Sequence, residues 1–182
     1  IRDVVRSRGL GDVYKRQTPD TGIITGREFD ASSTRYAKPK MNPSGGKNVA
    51  VLNDTNGKPL YLSTPLMLTW GVNEWTNDST GSHTYDLSLQ FPREQDSNYN
   101  EAMTQFLEGL IGLEEKIKSD TSTTYHKEWF NKPKMSAEVV EALWTPLLRY
   151  PKDDNGDFDY TRAPSLRVKV PYWDGKFNTE LY

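Results

Sequence analysis

The chain has 182 residues, a formal net charge of −2, no cysteine, two histidines, and five Trp, ten Tyr and six Phe. This length predicts one domain with its own core, and the missing cysteine excludes disulfides, thiolate zinc centres and cysteine nucleophiles. Mean hydropathy is low, but the aromatic content is too high for a disordered polymer. No run approaches the roughly 18 apolar residues of a membrane span, and the N-terminus lacks signal-peptide order, so a soluble, non-membrane, non-secreted chain is expected. With so small a net charge, nucleic-acid affinity would have to come from a local basic surface.

Residues 7–17, SRGLGDVYKRQ, resemble the in-frame translation of a transposon-end adapter used in DNA library preparation, and residues 1–17 are set aside as a non-native segment. That removes Arg2, Arg6, Arg8, Lys15 and Arg16 against Asp3 and Asp12. The apparent basic arm therefore carries no weight. Residues 18–47 are rich in Thr, Ser, Gly, Pro and Asn with little apolar periodicity, which predicts an extended polar loop. Arg27, Arg35, Lys38, Lys40 and Lys47 outnumber Glu28 and Asp30 here, which fits either a solvated loop or a backbone-contacting arm.

A single domain is expected over residues 48–182. Residues 48–52 and 60–63 are short β-prone runs around Asn53-Asp54-Thr55-Asn56-Gly57 and predict a hairpin. Residues 66–75 predict a mostly buried strand with Leu66, Leu68, Trp70 and Val72 on one face. Residues 84–91 alternate through Tyr85, Leu87, Leu89 and Phe91 as a strand with one face on a core, stopped by Pro92.

A helical insertion is expected at about 98–145. Residues 98–119 predict an amphipathic helix striped by Ala102, Met103, Phe106, Leu107, Leu110, Ile111, Glu114 and Ile117, in which Gly109 and Gly112 imply a close approach to the sheet. Residues 125–130 add a further helical turn, and a short helix starts at the N-cap Ser136 and ends at Pro146. Strands return at 147–150, 165–170 and 176–182, with a turn at 152–157. Leu166, Val168 and Val170 alternate with Arg167 and Lys169, so one face is apolar and the other cationic.

The order of strands, helices and strands gives a β-rich α+β chain and admits an OB-fold-like antiparallel Greek-key barrel with an inserted helix and a second short helix. Such barrels hold single strands by stacking bases on aromatic rings and pairing phosphates with Lys and Arg. The candidate nucleic-acid-binding residues are Trp70, Tyr85, Arg149, Tyr150, Lys152, Arg162, Arg167, Lys169, Tyr172, Trp173 and Lys176. Residue by residue, aromatics in the core and charges on a solvated strand face account for the same composition.

Other chemistries fit poorly. Asp153, Asp154, Asp157 and Asp159 around Gly156 lack the ligand register of a calcium loop. Residues 43–47, PSGGK, lack the first Gly and the Ser or Thr of a phosphate loop, and no helix follows. His83 and His126 have no spaced partner for a metal or a triad. Glu114 and Glu115 read as solvent-facing charges rather than a general-acid pair. No catalytic residue, metal or cofactor is expected.

Residues 71–92, GVNEWTNDSTGSHTYDLSLQFP, followed by the helix, and residues 146–176, PLLRYPKDDNGDFDYTRAPSLRVKVPYWDGK, together resemble the phage-type single-stranded DNA-binding proteins. The likeness is closer to their counterparts in nucleocytoplasmic large DNA viruses of algae and protists, and it covers about three quarters of the chain. It implies a non-enzymatic protein that coats single strands during viral replication, recombination or repair, in the host cytoplasm or nucleus. The implied partners are single-stranded DNA, viral replication proteins and further copies of the chain. The acidic tail of the phage members is missing and the last strand ends at Tyr182, so a C-terminal truncation is expected. The alternative is a viral structural or protein-interaction module that uses the same barrel without binding DNA.

Overall fold

A computed structural model describes residues 22–177, with residues 94 and 98 excepted and Trp173 described by its backbone alone. The adapter-like segment 1–17, Asn98 at the expected helix start, and residues 178–182 of the expected last strand lie outside the described residues.

The chain is a mixed α+β protein. Its first part runs β1 (Ile23–Thr25), 3-10 turns at Gly26–Glu28 and Ala31–Ser33, then β2 (Thr34–Tyr36), β3 (Lys40–Met41), β4 (Lys47–Asn48), β5 (Val51–Asn53) and β6 (Tyr61–Ser63). The long strands β7 (Leu68–Thr76) and β8 (His83–Gln90) follow. Helix α1 (Glu101–Asp120) continues through a π-type turn (Thr121–Tyr125) into α2 (His126–Phe130), and α3 (Ala137–Leu143) comes next. The chain then forms β9 (Leu148–Arg149), β10 (Ser165–Val170), β11 (Tyr172–Trp173) and β12 (Lys176–Phe177).

The central sheet has four antiparallel strands in the order β7-β8-β10-β9. The other strands make two-stranded pairs, β1 with β6, β2 with β5, β3 with β4 and β11 with β12. Among the described residues the sheet stays open, with β7 and β9 at its edges, and no closed barrel forms.

Helix α1 begins where Asn100 accepts a hydrogen bond from the Met103 amide, and it buries Met103, Phe106, Leu110 and Leu113 at spacings of three and four. Met103, Phe106 and Leu110 belong to the predicted stripe, Leu113 lies outside it, and the predicted Ala102, Leu107 and Ile111 are half-buried. Phe106 and Leu110 join Phe91 of the sheet and Leu148 of β9 in one core cluster, with Leu166 packed against it. The short helix after Ser136 forms as expected, the Ser136 side chain accepting from the Val139 amide.

Several expectations are corrected. Residues 22–47 are not a solvated loop, because Phe29 is buried and Gly26 and Phe29 press on α1. Periodicity misses this contact because it is made by single residues in irregular turns. The hairpin at residues 48–63 closes locally, with Asn53 and Lys58 bonded through their backbones, but β6 then leaves to pair in parallel with β1. The strand expected to be mostly buried is exposed throughout β7, although Met67 just before it packs against the core cluster. A bulge between Thr69 and Val72, with Gly71 at a φ of 99°, interrupts its period-two alternation. Gly109 and Gly112 do admit a close approach, but by Phe29 and Ala31 rather than by the sheet.

These contacts separate three similar substitutions. A Cβ at residue 26 would lie 2.5 Å from the Phe106 ring and 2.9 Å from the Ser63 carbonyl, and one at residue 109 would lie 2.9 Å from the Phe29 ring. One at residue 112 would meet only the Ala31 Cβ at 3.6 Å. Gly26→Ala and Gly109→Ala are expected to destabilise by about 1–3 kcal/mol, and Gly112→Ala to stabilise by up to about 1 kcal/mol. Urea denaturation of the three variants checks the order, and uniform stabilisation by helix propensity would contradict it.

Candidate nucleic-acid interface

Residues opposite one another in a ladder share a face. The β8–β10 pairing sets Leu89 opposite Leu166, Leu87 opposite Val168 and Tyr85 opposite Val170, which defines the face that α1 partly covers. The other face carries Gln90 opposite Ser165, Ser88 opposite Arg167, and Asp86 opposite Lys169. Arg149 extends it beyond Ser165, and Asn73 and Trp75 extend it through β7. The alternation of β10 into an apolar and a cationic side is therefore present as the sequence predicts.

At the centre of the polar face Asp86 is buried and Arg167 donates to its carboxylate. The Arg167 guanidinium also lies 5.2 Å from the centre of the Trp75 ring, a cation–π distance. Arg167, expected as a phosphate contact, is thus engaged by Asp86. The same hydrogen bond holds the Asp86 carboxyl below its ordinary range, against the opposing effect of desolvation, with a smaller contribution from Asn73. Lys169 and Arg149 remain exposed.

One end of this face deepens into a groove of about 480 Å³ lined by Gln90, Arg93, Arg149, Tyr150, Arg162 and Ser165 among others. Three of the predicted residues, Arg149, Tyr150 and Arg162, meet here. Tyr150 leans on Tyr160 with ring centres 4.8 Å apart.

The remaining candidates do not join this surface. Tyr85 lies on the opposite face, where its ring packs 4.6 Å from Tyr172 and 4.9 Å from Phe177. Desolvation first, and then its hydrogen bond to Glu74, push the Tyr85 phenol up to about 12. Tyr85 and Tyr172 are packed against each other, not splayed for stacking. Trp70 projects from the β7 bulge and is 82% exposed. Lys152 sits 5.6 Å from the Phe158 ring at the turn. Lys176 pairs with Trp173 in the β11–β12 hairpin beyond the sheet, and the Trp173 side chain lies outside the description.

Arg93, Trp75, Gln90 and Ser165 are the residues that sequence reasoning missed. In the sequence Trp75 marks only the end of a strand, although its position opposite Thr84 gives it the parity of Asp86. Arg93 follows Pro92 outside any strand, so alternation carries no signal for it.

The weaker motifs resolve into structural roles. Lys47 donates to the Glu128 carbonyl at 2.6 Å and to Asn131 at 2.8 Å, closing the end of α2. Asp153 accepts from the Asn155 and Asp157 amides in an ordinary turn. Glu115 is exposed, but Glu114 is largely covered, pairs with Lys118 and accepts from the Leu147 amide. His83 contacts Glu74 at 2.6 Å. Among the described residues no group of three or more His, Asp or Glu could hold a metal, and no helix is long and apolar enough to cross a membrane. No family model matches the chain, and no curated protein or solved structure matches it either.

A lowered carboxyl stabilises the fold above its unfolded pKa of about 4, and that contribution is lost as pH falls through the lower folded value. Arg167→Ala leaves the Asp86 carboxylate buried without its cation, at an expected cost of about 1–3 kcal/mol at neutral pH. The acid-dependent loss of stability that Asp86 contributes should shrink in the variant, so that the gap between parent and variant is widest near neutral pH and narrows as pH falls below about 4. Chemical denaturation at a series of pH values tests this, and an unchanged acid profile would remove Arg167 as the cause.

Proposed function

We propose that the chain is a non-catalytic protein that binds single-stranded DNA, with little sequence preference, along the polar face of its central sheet. The observation that carries this reading is the alignment of Arg149, Lys169 and the 55%-exposed Trp75 on one uncovered face. Cations along a strand's path hold its phosphates, and an exposed indole offers a stacking platform that any base can use. The resemblance of residues 71–92 and 146–176 to viral and phage single-strand binders supports the same reading. On this view the open sheet is the core of an oligonucleotide-binding-type barrel, and the protein serves viral DNA replication, recombination or repair.

A second reading, a protein-interaction module, draws on edge strand β7 and its approach, where Leu66 is 91% exposed and Trp70 82%. Concentration-dependent self-association in sedimentation, lost in Trp70→Ser, would favour it.

Fluorescence anisotropy with 5′-hydroxyl oligo-dT tests the first reading. Affinity should fall steeply with salt, with a log–log slope of about −0.7 for each phosphate neutralised. Lys169→Ala should reduce the slope by about one such step. Trp75→Ala should weaken binding by roughly 5- to 150-fold, the range for loss of one stacked base. Absence of binding at about 50 mM salt overturns the proposal.

A further inference from the structure

We infer that the groove at the end of the polar face is a site for a phosphate monoester, the terminal phosphate of a DNA strand or that of a free nucleotide. The strand-end source rests on the DNA-binding reading above, whereas the chemistry of the groove does not. Its floor is a row across three strands, in which Arg149 lies opposite Ser165 and Ser165 opposite Gln90. Arg93 enters from the segment after β8, Arg162 from the turn before β10, and Tyr150 from the end of β9.

The charge balance points to a monoester. Among the described residues the ionised side chains of the lining are three arginines. Arg93 is partly neutralised, with its Nη2 3.4 Å from the Asp96 carboxylate and its backbone amide donating to the same group at 2.8 Å. Among the described residues Arg149 has no carboxylate in salt-bridge contact, whereas Arg162 is partly offset by Asp159, whose carboxyl its charge helps to hold below the ordinary range. Among the described residues more than one positive charge is therefore left uncompensated at the groove. An internal phosphodiester offers one negative charge, whereas a monoester carries about −1.5 to −2 at neutral pH and three acceptor oxygens. Guanidinium groups meet such oxygens through paired N–H donors, and the Ser165 hydroxyl and Gln90 amide add neutral ones. Phe91, Pro151 and Ala163 add apolar lining beside the sugar or base, and the groove's volume falls in the range of small-ligand sites.

The test compares 5′-phosphorylated with 5′-hydroxyl oligo-dT by anisotropy, and thymidine monophosphate with thymidine by calorimetry. The phosphorylated strand should bind about tenfold more tightly at neutral pH. The advantage should fade below about pH 6, where the monoester takes up its second proton. Arg162→Ala, in an exposed turn, should remove the advantage while unfolding at the parent's temperature. Equal binding of the two strands with no uptake of thymidine monophosphate overturns the site and leaves the DNA reading standing. An advantage that survives in Arg162→Ala also overturns it. Arginine-dependent uptake of thymidine monophosphate, with neither oligonucleotide bound, supports the monoester site and sinks the DNA reading.

Discussion

The fully buried ring of Phe106 on α1 meets Gly26 on one side and packs with Phe91 and Leu148 on the other. Three separate stretches of chain, the N-terminal turns, the helix and the central sheet, are joined at that ring. Because burial of an aromatic of this size is among the larger favourable contributions a small domain can have, the helix is committed to one side of the sheet. The opposite side leaves Arg149 and Lys169 in contact with solvent around the buried Asp86, and the candidate interface occupies that side. Gly109, facing Phe29, extends the same constraint by one further turn of helix.

Elements that announce themselves by period were legible in the sequence. The stripe of α1, the Ser136 cap and the two-sided character of β10 all follow from local rules. Elements that depend on a distant partner were not. β6 pairs with β1 across nearly forty residues, and nothing local in Tyr61–Ser63 specifies that choice over the adjacent β5. β7 misled for another reason. Its alternating apolar residues predict burial, but an apolar pattern states only which residues could share a face, and a bulge at Gly71 changes the parity midway.

The candidate site divides along the same line. Residue types sufficed to mark Arg149, Tyr150, Arg162 and Lys169 as a cationic and aromatic group. They could not separate Tyr85 and Tyr172, which pack on each other, from Trp75, which stands open on the polar face. Stacking and core aromatics have the same composition, and only strand parity distinguishes them. Arg167 shows a further limit, since its charge is engaged by Asp86, a residue 81 positions away. Formal charge therefore overstates what this face offers a ligand. The cations that remain are concentrated toward the β9 edge and the groove.

The bulge in β7 has a consequence for how the molecule tolerates its own company. A long apolar outer strand is an invitation for identical chains to zip together and grow into fibres. Here the kink at Gly71 divides the ladder into a run of two residues, Leu68 and Thr69, and a run of five, Val72–Thr76. Neither reaches the six or seven consecutive residues of a typical fibril-forming segment. The same irregularity that turns Trp70 outward thus guards against runaway strand addition, and an exposed indole is kept without an aggregation-prone straight edge.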